Sequence, residues 1–237
     1  MSEDPAPGPF SIVHQDAHLI VIDKGPGLVV HPGRGHHDDT LSQLLAPLLA
    51  GGEEERAGIV HRLDRDTSGL MVVARSQEAH RRLQAQLAAR AIEREYLALV
   101  EGRPPSRTGT IDAPIGRDPR VRTRMAVGGA GAPEARTHFT LEQALERASL
   151  LSLRLETGRT HQIRVHLQAI GHPVAGDPEY GTAGLYGLDR QFLHATRLAF
   201  EHPLGGQRLE LRSPLPDDLR AALERAGSAG GAGGRIS

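Results

Sequence analysis

The chain has 237 residues, 38% of them hydrophobic and 24% charged, the composition of an ordinary globular protein with length for one sizeable α/β domain or two small lobes sharing a core. No apolar run approaches the ~20 residues that span a bilayer, the start bears acids and prolines unlike a secretory signal, and the lack of cysteine rules out disulfides and thiolate metal sites. With 28 basic and 29 acidic residues the net charge is −1, so any nucleic-acid surface must be a local patch, and a cytoplasmic location is expected.

Residues 1–9 and 226–237 read as disordered ends, because small, polar and proline-rich stretches cannot offset their ordering entropy. A single domain is expected over residues 10–225. Ile20–Ile22 is a short β-branched strand ended by the turn Gly25-Pro26-Gly27. Asp39 can cap a helix whose Leu41, Leu44, Leu45 and Leu48 share one face. Leu70–Ala74 is a continuous apolar run, as in a strand covered on both sides. Ser76 caps a helix carrying Ala79, Leu83 and Leu87, and Tyr96–Val100 is the next strand. Further on, Thr137–Leu141 and Leu150–Leu155 read as antiparallel strands. Gly158-Arg159-Thr160 then turns into a helix at about Gln162–Ile170. Its buried stripe is expected to be Ile163, Leu167 and Ile170, with His161, Arg164 and Gln168 on another face. A strand near Phe192–Phe200 and a short helix after Pro216 complete an α+β domain, a mixed and largely antiparallel central sheet with flanking helices around a catalytic cleft.

Two stretches concentrate chemistry. Ile59 to Leu70 (IVHRLDRDTSGL) packs carboxylates, guanidiniums, an imidazole and hydroxyls beside an apolar strand. Such groups cannot all face a core unpaired, so they reach solvent or pair at the end of the strand. A salt-bridged turn is the plain reading of that pattern. Thr157 to Leu167 (TGRTHQIRVHL) places Arg164 one turn into a helix, where it could be the partner that keeps a buried Asp ionised. Lys24 is the only lysine, so the positive charge is nearly all arginine, whose planar fork suits phosphate. A GC-rich coding sequence would produce the same bias.

The segment His61-Arg62-Leu63-Asp64, two further residues, then Thr67-Ser68-Gly69 resembles the signature of the RluA-type pseudouridine synthases. The resemblance covers roughly residues 12–222. It continues through Arg94–Gly102, Pro114-Ile115-Gly116, Gly158–Leu167, Gly171-His172-Pro173, Gly176–Gly181 and Leu193-His194-Ala195. It implies the pseudouridine synthase fold and conversion of uridine to pseudouridine in RNA without a cofactor. By the same resemblance Asp64 is the catalytic carboxylate, Tyr96 packs against the target base and takes part in proton transfer, and Arg164 pairs with Asp64. Arg62 would help fill the gap left by the extruded nucleotide. His61, Arg159, His161, Arg122 and Arg124 are expected to contact RNA, the last two in an arginine cluster with Arg117 and Arg120 that reads equally as an RNA-contacting hairpin or a solvated loop.

Ribosomal RNA of the large subunit is the expected substrate, with transfer RNA as the alternative. No membrane association and no obligate protein partner are expected. The chain departs from many relatives in showing no room for a small RNA-binding domain ahead of the catalytic blocks, and in carrying Arg94 where the family often has lysine. His161, His166 and His172 lack the spacing of helical metal ligands, so no metal is expected. Two other classes compete: a catalytically retired RNA-binding relative, and a metal-independent ribonuclease using His61 and Asp64.

Overall fold

The structure, a computed structural model, describes residues 8–31, 40–48, 58–121, 124–128 and 131–228. Its strands in chain order are β1 (Phe10–Gln15), β2 (Leu19–Lys24), β3 (Ser68–Ala74), β4 (Glu93–Glu101), β5 (Thr108–Asp112) and β6 (Ile115–Arg117). They continue as β7 (Met125–Val127), β8 (Arg136–Ala144), β9 (Ala148–Leu155), β10 (Leu193–Glu201) and β11 (Arg208–Arg212). The helices are α1 (Leu41–Leu45), α2 (Gln77–Ala88), α3 (Gln162–Ala169) and α4 (Asp217–Ser228). This is an α+β protein with mostly antiparallel sheet, as expected. The chain divides into two compact units, one of residues 1–94 and 195–213, the other of residues 95–194 and 214–237.

In the first unit the strand order is β1-β2-β3-β10, with β11 on β10. Every residue of β3 is buried, which is why its sequence shows no alternation. Leu70 and Val72 meet Leu19, Val21, Ala79, Leu83 and Phe200 in one apolar cluster that seats α2 on the sheet. Ser76 caps α2, its side chain accepting the Ala79 amide at 3.2 Å. The residue at the capping position of α1 is Thr40, whose amide donates to the Gln43 side chain at 2.9 Å. Asp39 lies outside the described residues.

In the second unit β4, β9, β8 and β5 are neighbours in that order, and β6 and β7 form a separate two-stranded hairpin. The pairings β4–β9, β9–β8, β8–β5 and β6–β7 are all antiparallel. Helix α3 differs from its expected amphipathic form. Gln162, Ile163, Arg164, Val165, His166 and Leu167 are all buried, whereas Ile170 is exposed. The polar members are admitted because each finds partners. Gln162 donates to the Arg136 carbonyl and the Thr137 hydroxyl, both at 3.0 Å, and His166 lies 2.8 Å from the Thr137 hydroxyl and 2.9 Å from the Ala113 carbonyl. Helix α4 reaches Ser228, into the stretch expected to be a tail, because Leu219, Ala222 and Ala226 are buried along one side.

Candidate active site

The charge-rich loop Gly58 to Thr67 belongs to the first unit and is pinned at several points. Ile59 bridges Val73, and the Ala74 amide donates to the Gly58 carbonyl at 2.9 Å. Leu63 is buried, and the Asp64 carbonyl accepts the Thr67 amide at 3.1 Å, closing a tight turn. From below, Lys24 reaches the loop. Its ammonium, wholly buried, donates to the carbonyls of Gly25 at 2.7 Å, Leu28 at 3.0 Å and Arg65 at 2.8 Å. Three donors meeting three carbonyls is the full capacity of an ammonium. On this anchored backbone the Asp64 side chain is half-buried and Arg62 is exposed. Arg65 and Asp66 pair with each other at 3.1 Å on the surface. The salt-bridged turn is therefore real, but it involves this pair. Gly69 follows with φ +115°, and a Cβ there would lie 2.3 Å from the Ala195 carbonyl oxygen of β10, so only glycine fits.

His61 corrects an expectation. It was expected at an RNA surface, yet only 8% of it is exposed, and its Nε2 accepts the Val72 amide at 3.2 Å. The ring must then carry its proton on Nδ1. Burial, with the nearby Arg94 charge added, pushes its pKa down to about 3. A neutral ring with its acceptor already engaged has a structural role, and it makes a poor base for ribonuclease chemistry. Stability should respond to pH accordingly. The unfolded histidine titrates near 6.5, so between about pH 6.5 and pH 3 the unfolded chain binds a proton that the folded one refuses, and stability falls as pH falls. Going from pH 6.5, where the unfolded ring is half protonated, to pH 5 should remove roughly 1–2 kcal/mol through this group. His166, also lowered by burial, adds in the same direction. Urea unfolding at the two pH values measures the loss, and His61→Gln should flatten the slope.

The second unit holds a second cluster, built on α3 and the segment after it. Arg164, with its side chain 7% exposed, grips Asp177 with two bonds, Nε to Oδ2 at 2.7 Å and Nη2 to Oδ1 at 2.9 Å. Nη2 also donates to Glu179 at 3.2 Å. Burial works to raise the Asp177 pKa, but the Arg164 guanidinium and the amides of Glu179 and Tyr180 outweigh it and hold the carboxyl below its ordinary value. Tyr180 lies beside them. The carbon centres of the Arg124 and Arg164 guanidiniums are each 4.8 Å from its ring centroid. Its hydroxyl accepts the Met125 amide at 2.9 Å and lies 2.9 Å from His161 Nδ1. His161 stands at the position just before α3 with φ 55°, and its side chain makes no capping bond to the helix.

Three of the expected residues, Arg124, His161 and Arg164, thus converge on Tyr180. Neither Tyr180 nor the carboxylates Asp177 and Glu179 were foreseen, although all three stand inside the quoted block Gly176–Gly181. Arg159 is exposed, and its Nε donates to the Glu134 carbonyl at 3.0 Å. Tyr96 is buried on β4, opposite Leu153 of β9. Arg122 lies outside the described residues. Asp64 belongs to the first unit, Tyr96 and Arg164 to the second. Among the described residues no three His, Asp or Glu side chains gather as a metal site, and no helix is long and apolar enough to cross a membrane.

Comparison with known proteins gives these features a family. A family model described as RNA pseudouridylate synthase matches residues 18–169. The ribosomal large subunit pseudouridine synthase D of Nitrosomonas europaea is 52% identical over 227 residues, covering 91% of this chain and 65% of that protein. An uncharacterized RNA pseudouridine synthase of Chloroflexus aurantiacus is 56% identical over 207 residues, covering 86% of this chain and 65% of that one. Among solved structures, human RNA pseudouridylate synthase domain containing 4 superposes with a TM-score of 0.71 at 28% identity, over 91% of this chain and 92% of the human one. The chain belongs to the RNA pseudouridylate synthase family. It spans just under two thirds of the length of the two bacterial relatives.

Proposed function

We propose that this protein isomerises uridine to pseudouridine in RNA, with large-subunit ribosomal RNA as its substrate and the cytoplasm as its place of action. The observation that carries the reading is the Asp64 loop: a half-buried carboxylate on a backbone fixed through Lys24, Thr67 and buried Leu63, inside a segment that matches the family signature from His61 to Gly69. An acid held in one place is what covalent or general-base catalysis requires.

The reaction breaks the bond from uracil N1 to the sugar, turns the base, and joins its C5 to the same carbon. The proton on C5 leaves and N1 gains one. Nothing is oxidised and no group comes from outside, so the chain's own residues suffice and no cofactor is invoked. Asp64 is the proposed catalytic carboxylate. Tyr96 is proposed to contact the target base, and Arg164 to serve Asp64 as its guanidinium partner. Extruding the uridine costs a few kcal/mol, and stacking on an aromatic recovers about 1–3 kcal/mol of it. Arg62, exposed beside Asp64, is proposed to occupy the gap in the RNA. Arg124, Arg159 and His161 are proposed to contact the RNA from the second unit.

The test is to map pseudouridines in total RNA from cells with and without the gene. Loss of one or a few sites in the large-subunit RNA is the expected result. An unchanged map, or shortened RNA on incubation with the purified protein, would overturn the assignment.

A further inference from the structure

The hairpin β6–β7 pairs only Ile115 with Val127, Gly116 with Ala126 and Arg117 with Met125. A ribbon this short does not hold itself in place and needs docking to something rigid. One contact is apolar: Ile115 and the partly buried Met125 pack with Val165 of α3 and with the Tyr180 ring. The other is polar. The Met125 amide donates to the Tyr180 hydroxyl at 2.9 Å, and the same hydroxyl is hydrogen-bonded to His161 Nδ1, also at 2.9 Å. One phenol oxygen thereby ties the hairpin to the residue that precedes α3.

The hairpin carries arginines. Asp118 accepts the amides of Arg120 at 2.7 Å and Val121 at 3.1 Å, which orders the turn, and Arg120 is exposed. Arg124 lies over Tyr180, and its buried Nε has no hydrogen-bond acceptor among the described residues. Arg164, over the same ring, has Asp177 and Glu179. A desolvated guanidinium N–H with no acceptor is costly unless a ligand supplies one, and the acceptor that matches its planar fork in an RNA-binding protein is a backbone phosphate.

We propose that Tyr180 is the latch that fixes the β6–β7 hairpin, so that the Arg124 guanidinium is held ready for an RNA phosphate. Tyr180 is on this view a positioning residue for substrate binding. The inference rests on the reading of the protein as an RNA-modifying enzyme.

Tyr180→Phe keeps the ring and removes only the hydroxyl, so the apolar docking and the arginine stacking survive. Two measurements on the full chain follow. Hydrogen exchange of peptides carrying β6 and β7 should quicken by about tenfold, the factor one lost hydrogen bond commonly costs, while β8 and β9 keep their protection. In RNA binding followed against salt, Tyr180→Phe and Arg124→Gln should each weaken affinity by roughly tenfold and flatten the slope of log K against log salt by about 0.7–0.9, the signature of one lost phosphate contact. The double variant should be no worse than Arg124→Gln alone. In turnover the Tyr180→Phe defect should fall on KM, with kcat within about twofold.

Unchanged exchange in the hairpin refutes the latch whatever the protein's activity. Faster exchange with unaltered RNA affinity refutes the link to Arg124. A fall in kcat at constant KM would move Tyr180 into the chemistry and also overturn the proposal. Failure of the wild-type protein to form pseudouridine would instead count against the proposed function, and the exchange and binding measurements still decide the latch.

Discussion

Asp64→Asn should give a folded protein that binds RNA and forms no pseudouridine. The amide has nearly the shape of the carboxylate, and the turn at this point is closed by the Asp64 backbone carbonyl and the Thr67 amide, which the substitution leaves alone. What disappears is the negative oxygen, whether it attacks the sugar, attacks the base or removes a proton. Losses on removing such a group run to about 10^4-fold or more. Tritium release from RNA labelled at C5 of uridine measures this with the required range. Asp66→Asn is the matched comparison, since Asp66 is engaged with Arg65 at the surface and a pair of that kind contributes little. Its activity should stay within a few-fold of wild type, a change of ordinary surface-substitution size. Turnover by Asp64→Asn at a tenth of the wild-type rate would mean that another acid does the work.

The second large effect is expected at Lys24. Lys24→Met keeps much of the side-chain shape but leaves the carbonyls of Gly25, Leu28 and Arg65 facing a methyl group. Each orphaned carbonyl costs about 1–3 kcal/mol, while relief from burying a charge offsets part of the total. A net loss of roughly 3 kcal/mol is expected, which for a chain of this size lowers Tm by about 10 °C. Below the transition, activity should also fall by about 10- to 100-fold, because Arg65 directly follows Asp64 and displacement of a catalytic group by an ångström has effects of that order. Calorimetry and turnover at 20 °C check the two parts. A Tm within 2 °C of wild type would show that the carbonyl cage is not what holds the loop.

The parts of this protein that the sequence announced are those where burial sets the pattern. The run Leu70–Ala74 reads as a strand enclosed on both faces, and every residue of β3 is indeed buried. Ser76 reads as a cap and accepts the Ala79 amide. Strands β1 and β11 went unread for the opposite reason: they are largely exposed, so no apolar period marks them. Helix α3 misled because periodicity cannot anticipate that polar residues will be buried with partners far along the chain. Arg164 meets Asp177, and His166 meets Thr137 and Ala113.

The site divides in the same way. The proposal of Asp64 as the catalytic acid comes from the resemblance of His61–Gly69 to the family signature, with no need of coordinates. The clamp from Lys24 depends on a β2 residue meeting a loop forty-one positions away, and the convergence of Arg124, His161 and Arg164 on Tyr180 depends on where a hairpin docks. His61 differs from its expected surface position because a histidine beside the proposed catalytic acid looks chemical in the sequence, whereas in the fold its ring nitrogen accepts the Val72 amide.

Lys24 is the chain's sole lysine, and in the fold none of it is exposed. Reagents that acylate primary amines should therefore leave this side chain unlabelled in the native fold. A label on Lys24 can be added only when the three carbonyls around that ammonium come apart, so the rate of its appearance would report how often the Asp64 loop opens, with no probe engineered in.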